Sequence, residues 1–335
     1  GTASIPKQNS ATVTNQGIEM TLGWQDQIGD FSYGVNGNFT FVKNKVNKFK
    51  GTDKGGISYD GANIIWEGHS INSQYLLRAD RIIQTDADLA LVQQMIDNAP
   101  IDEKTGKKVN PFAAFGTPQK GDLLYKDING DGIVDKLDMV PLTHSTYPLL
   151  MYGLGAEIRY KNLTLGVLFK GTGKTSFFYV GQKTTVNDES RLNGMGYMPF
   201  FEGNTGNVLT LAADPANRWI PRDYALAHGI DPSLAENPNA RFPRLQYGNN
   251  SNNSQLSTFW QGDSRYIRLQ EITLNYHLAW AFLRRIGVSS LDIQFVGNNL
   301  YVWDKVKLFD PEQARWNGRV YPIPSTYSLQ LYVNF

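Results

Sequence analysis

This sequence predicts an all-β fold, an antiparallel sheet that crosses a membrane as the wall of a barrel. Three observations carry the prediction. Seven separate segments alternate apolar and polar residues with period two. Their connections are short at one end and long at the other. Aromatic residues gather near both ends of the segments.

The first segment is IEMTLGWQ, where Ile18, Met20, Leu22 and Trp24 alternate with Glu19, Thr21, Gly23 and Gln25. In the second, Phe31, Tyr33, Val35, Phe39 and Phe41 share one face, while Ser32, Gly34, Asn36, Asn38 and Thr40 share the other. LLMYGLGAEIRY places Leu150, Tyr152, Leu154, Ala156, Ile158 and Tyr160 together, and NLTLGVLFK does the same for Leu163, Leu165, Val167 and Phe169. In YIRLQEITLNYHL, Ile267 and Leu269 fall on one face, and Ile272, Leu274 and Tyr276 on the other. A break in phase inside a strand predicts a bulge or an exit from the apolar zone. LDIQFVGNN sets Leu291, Ile293 and Phe295 against Asp292 and Gln294. The last segment, YSLQLYVNF, has Tyr327, Leu329, Leu331, Val333 and Phe335 on one face, so Leu154, Leu165, Ile293 and Leu331 should face lipid.

Short turns are expected at QDQIGD and KN, and a link of modest length after Leu278. Three long loops take roughly 47–148, 174–263 and 302–321. Trp24, Phe31, Tyr160, Trp280, Phe282 and Phe335 mark the short-turn end. Phe41, Phe169, Tyr266, Tyr301 and Trp303 mark the long-loop end. Two aromatic belts flanking strands of about ten residues suit a lipid-facing band. The competing fold is a soluble sandwich with one wet face. A membrane sheet must close, since an open edge strands N–H and C=O groups in hydrocarbon. Seven is also an odd count, so either an eighth strand is hidden in a loop or other strands lie outside this sequence; loops this heavy favour a fragment of a larger barrel.

Composition narrows the function. The 335 residues carry 32 basic and 31 acidic side chains, a formal net charge of +1, with no basic run for nucleic acid. There are no cysteines, which excludes disulfides and thiolate chemistry. No apolar run is long enough for a membrane helix. The opening GTASIPKQ has neither a start Met nor a signal peptide, which fits a processed protein or a piece of a longer one.

One motif points to a metal. Residues 127–138, DINGDGIVDKLD, have the residue order of a calcium loop. Asp127, Asn129 and Asp131 offer side-chain oxygens, Ile133 its carbonyl, and Asp135 and Asp138 further carboxylates, so a structural Ca²⁺ is expected. Pro141 and Pro148 follow and an extended GDLLYK precedes, so the flanking helices of a calcium sensor are not expected. The alternative is an Asx-rich turn held by its own hydrogen bonds. GTGKTS at 171–176 lacks the first glycine of a phosphate loop, with Leu168 in its place. His69, His144, His228 and His277 show no ligand spacing, and no catalytic motif occurs, so no enzyme is expected. The long loops are rich in aromatic and amide side chains. Trp66, Tyr197, Trp219 and Trp260 are the candidates for stacking on a sugar ring or a peptide side chain.

Several runs carry a family resemblance: NQGIEMTLGWQ, GDLLYKDINGDGIVDKLD with YPLLMYGLGAEIRYKNLTLGVLFKGTG, YIRLQEITLNYHL, VGNNLYVWDK with DPEQ at 310–313, and the strand ending at Phe335. In that order, over roughly residues 10–335, the chain resembles the C-terminal barrel of SusC/RagA-type TonB-dependent outer-membrane transporters. The resemblance implies a barrel of about 22 strands, of which residues 1–335 supply about the last seven. It implies outer-membrane import of oligosaccharides or peptides with a SusD-like surface lipoprotein as a lid. The rest of the same barrel, the plug and the TonB-contacting segment would belong to a part absent from this chain. The alternative function is a calcium-stabilised outer-membrane adhesin or structural barrel without transport.

Overall fold

The computed structural model describes residues 11–49, 57–60, 63–71, 73, 75–141, 144–178, 213–246, 250–316 and 321–335. Seven strands form one sheet in chain order: β1 (Ala11–Ile28), β2 (Phe31–Phe49), β3 (Leu150–Tyr160), β4 (Leu163–Thr172), β5 (Tyr266–Leu278), β6 (Ser290–Asp304) and β7 (Thr326–Asn334). Every neighbouring pair is antiparallel. All seven predicted strands are present.

The pairing register keeps the apolar positions together across the sheet. Tyr33 lies opposite Ile158, Ile158 opposite Leu165, Leu165 opposite Leu274, Leu274 opposite Phe295 and Phe295 opposite Leu329. A slip of one residue in any pair would have mixed the faces. The apolar face is bare: Leu22 is 67% exposed, Trp24 67%, Leu329 71% and Leu331 62%. A continuous apolar surface of this kind marks a lipid or partner contact. The opposite face carries Glu19, Thr21 and Gln25 from β1, Asn36 and Asn38 from β2, Glu157, Thr164, Thr273, Asn275, Asp292, Gln294 and Gln330. The expected phase break in β5 is a bulge between Leu269 and Glu271, which returns Ile267 and Leu269 to the face of Ile272 and Leu274.

Three details differ from the expectation. The turn after Trp24 is shorter, because Gln25–Ile28 continue β1 and only Gly29 and Asp30 turn. Gly29 has φ +61°, a left-handed conformation that suits a two-residue hairpin. Trp24 therefore pairs with Val35, inside the sheet, while Ile28 and Phe31 take the turn end. The link after Leu278 contains a short helix, Ala281–Arg285, with Trp280, Phe282 and Ile286 exposed. Finally, β1 and β2 run far past the apolar band. Eighteen residues span about 60 Å, against an apolar band about 25 Å tall, so their hairpin rises beyond it on the long-loop side.

The long loops fold together instead of remaining irregular. Helix α1 (Asp86–Asp97) opens with a complete capping box from Thr85 and Asp88 and buries Val92. Ala79–Ile82 pairs with Leu123–Tyr125, and Tyr75–Leu76 with Val140–Pro141. Leu77 accepts from Thr258 N–H and donates to the Leu256 carbonyl, tying the first loop to the second. Their shared core contains Leu76, Leu77, Ile83, Phe112, Leu123, Tyr125, Val134, Trp219, Phe242 and Trp260. This loop unit stands at one end of the sheet.

Candidate functional site

The acidic loop lies on the loop unit between Tyr125 and Val140, with extended chain before it and a single 3₁₀ turn, Lys136–Asp138, within its end. Its carboxylates are turned towards its own backbone. Asp127 accepts from Gly130 N–H at 2.7 Å and Gly132 N–H at 2.8 Å. Asp131 accepts from Ile133 N–H at 2.9 Å, and Asn129 Oδ1 accepts from Asp131 N–H. Asp135 accepts from Leu137 N–H. Asp138, fully buried, accepts from Ile128, Asn129 and Asp135. Gly130 and Gly132 have φ of +76° and +79°, which lets the chain fold around these oxygens. Burial pushes the Asp138 carboxyl above the usual carboxylate range, although the three amides favour its ionised form; the charge of Asp127 adds to the rise. Among the described residues, no three acidic or histidine side chains converge as a metal-ligand set. The side chains form self-bonded Asx turns, and each carboxylate keeps further lone pairs beyond the amides it accepts from.

The aromatic candidates separate clearly. Trp219 and Trp260 are 2% and 0% exposed and sit in the core of the loop unit. Trp260 donates Nε1–H to the Asn253 carbonyl at 2.7 Å, lies parallel to Phe242 at 6.2 Å and meets Phe259 edge-on at 4.8 Å. Trp219 packs so closely on Gly121 that a Cβ there would meet its ring at 2.3 Å. In this arrangement both indoles build the loop unit and neither reaches its surface. Trp66 is half-buried, with its ring 4.7 Å from His69 and 5.8 Å from Tyr75. Tyr197 lies outside the described residues.

A buried polar centre escaped the sequence reading. The carboxylate of Asp122, 2% exposed, meets Arg244 at 2.8 Å and accepts from Asn250 and Asn253 at 3.1 and 2.8 Å. Asn253 also accepts from Leu123 N–H, and Asn252 donates to the Leu123 carbonyl. Tyr125 donates its hydroxyl to the Asn252 carbonyl, and burial raises its pKa. The Asn-rich run at 250–253 belongs to the amide-rich loops, yet it crosses the loop unit's interior as a hydrogen-bond hub. Buried amides require partners, and here one loop supplies them to the other.

A second charged centre joins loop to sheet. Arg268 on β5 is 2% exposed and donates Nη2 to both oxygens of Asp310, at 2.6 and 2.5 Å. Its Nε lies 2.9 Å from Glu312, close in charge but without an aligned hydrogen bond. Lys170 on β4 meets the same Glu312 at 3.0 Å. The DPEQ run is thus clamped to the inner wall. Beside it, Phe177 packs edge-on against Phe309 at 5.8 Å.

The class these features define is an antiparallel membrane-barrel wall: bare apolar outside, polar inside, with a folded loop unit at one end. Comparisons with known proteins agree. The chain is 27% identical over 227 residues to TonB-dependent receptor P26 of Formosa agariphila, covering 64% of this chain and 20% of that protein. It is 22% identical over 313 residues to TonB-dependent receptor P3 of the same organism, covering 91% of this chain and 26% of that one. A RagAB peptide transporter structure shares the fold at TM-score 0.59 and 16% identity, over 98% of this chain and 30% of that one. The RagAB peptide importer in its closed-closed state gives TM-score 0.57. No family model matches. The chain thus spans about a fifth to a quarter of the curated relatives' length. These likenesses bear out the resemblance to a SusC/RagA-type TonB-dependent transporter, and the relatives are named as receptors and transporters, not enzymes.

Proposed function

We propose that this chain is the C-terminal portion, residues 1–335, of a single outer-membrane barrel domain of about 22 strands. The complete protein imports oligosaccharides or peptides with energy from TonB and works beneath a SusD-like surface lipoprotein. The observation that carries this reading is the pairing of a bare apolar outer face and polar inner wall with a packed loop unit above them. Such a unit offers a lid a firm seat, whereas irregular loops would have to be ordered at each closure. Trp66, beside His69 and Tyr75, is the described aromatic candidate best placed to stack on cargo. The adhesin alternative needs the same barrel but neither lid nor TonB.

The decisive experiment solubilises the complete transporter in mild detergent and measures uptake by cells with and without TonB. The reading expects a surface lipoprotein to co-purify and uptake to require TonB. A barrel that purifies alone, in cells whose cargo uptake is unchanged by its deletion, contradicts it.

The same reading gives residues 127–138 a structural Ca²⁺. Its support is the order of oxygen-bearing residues and the buried, raised-pKa carboxyl of Asp138, which a cation would stabilise in ionised form. Calcium should slow proteolysis of this loop. Identical digests with calcium and with chelator leave only the self-bonded turn.

A further inference from the structure

Beyond the last apolar positions of the lipid-facing side, the outward row turns cationic. On β2 the row continuing the outward face runs Phe41, Lys43, Lys45, all exposed. On the other face Val42 is still exposed, but Asn44 accepts from Ser70 Oγ–H at 2.8 Å and Ile71 N–H at 2.9 Å, and Val46, one residue past Lys45, is 1% exposed. From Asn44 onward the loop unit therefore covers the inner face of this ribbon and leaves Lys43 and Lys45 on the lipid side. On β6 and just after it, Tyr301, Trp303 and Lys305 are exposed, while Val306 is buried. On β5, Arg265 precedes exposed Ile267 with the same spacing. Arg265 has Asp263 at 2.9 Å, but among the described residues no acidic side chain pairs with Lys43, Lys45 or Lys305.

We propose that Lys43, Lys45 and Lys305 bind phosphate groups of the outer-leaflet lipid. Each stands one or two strand steps past an outward aromatic residue, where hydrocarbon ends and headgroups begin. Aromatic side chains prefer that boundary, and lysine keeps its stem along apolar surface with its ammonium in the polar layer. A cation there, without a carboxylate partner and backed by a loop unit, has an anionic lipid headgroup as its natural counter-ion. The inference rests on the outer-membrane reading and adds a specific lipid contact to it.

The test uses the complete transporter, delipidated in neutral detergent. It is titrated with micelles carrying either a diphosphorylated glycolipid or phosphatidylcholine. Wild type should prefer the phosphorylated lipid, and Lys43→Gln with Lys45→Gln should lose roughly fivefold of that preference per lysine. Lys104→Gln with Lys107→Gln, an equal charge change on the loop unit, should retain it. Equal binding by wild type and the Lys43/Lys45 variant overturns the proposal, and so does an equal loss in the loop control. Assembly is read separately from the heat-dependent gel mobility of the barrel. A wild type that never assembles in the outer membrane refutes the barrel reading itself, whereas assembled barrels indifferent to these lysines refute only the lipid contact.

Discussion

Replacing Leu329 by arginine tests the facing of the wall most sharply. Leu329 lies near the middle of β7, is 71% exposed and sits opposite Phe295. If that face meets lipid, arginine at mid-depth costs about 2–4 kcal/mol. At about 3 kcal/mol the folded-to-unfolded ratio drops by roughly a hundredfold. Leu331 is two residues nearer the short-turn end, where the same change costs about 1 kcal/mol or less. Gln330, between them, lies opposite Gln294 on the polar face, so Gln330→Arg should leave assembly near wild type. The assay is urea unfolding of the complete barrel in lipid vesicles, followed by heat-dependent gel mobility. The expected order of loss is Leu329, then Leu331, with Gln330 unaffected. Equal effects at 329 and 330 would refute the assignment of faces.

Three further outcomes follow from the same geometry. Asn253→Ala removes an acceptor from Leu123 N–H and a donor to Asp122 in a fully buried place. It should cost the loop unit about 2–4 kcal/mol, visible as faster proteolysis between 75 and 141 with the barrel intact. Arg268→Met leaves Asp310 and Glu312 without their buried partner, a loss of about 3 kcal/mol; hydrogen exchange should then rise across 305–316. Asp138 has a raised pKa in the folded loop, so without calcium its contribution to stability is fully present below the unfolded carboxylate pKa and fades as pH rises through the folded value. Calcium-free protease resistance of 127–138 should therefore be greater at pH 4 than at pH 7, and Asp138→Asn should flatten the difference.

The strands were legible in the sequence because one face of each meets an apolar phase and the other water, and period two records that contrast directly. The break of phase between Leu269 and Ile272 was visible too, but only the register tells a bulge at Leu269/Glu271 from an exit out of the apolar zone. The loop unit was not legible, for a physical reason. Its core joins Leu77, Leu123 and Trp260, residues distant in sequence that come from an isolated bridge, a three-residue strand and a bend. Such short pieces carry no periodicity. Helix α1 had a readable signal, Thr85 and Asp88 ahead of an apolar pattern, that the abundance of loop residues around it obscured. The tryptophans illustrate a further limit: composition suggests stacking residues, but whether Trp219 and Trp260 face a ligand or a core depends on partners such as Gly121 and Asn253. For the same reason the amides of 250–253, part of the amide-rich loops by composition, turn out to serve an interior.

The central claim is that one face of this sheet meets lipid and the other a water-filled lumen. This chain has no cysteine, so it adds no background to single cysteines placed in it and spin-labelled in the complete barrel. Labels at 154, 165, 274 and 295 should have their spin relaxation sped by oxygen dissolved in the bilayer. Labels at 157, 164, 273 and 294 should be relaxed by a water-soluble nickel chelate, so that accessibility switches between the two faces on each of the four strands labelled. Labels on both faces reporting water, or no alternation at all, would contradict the account.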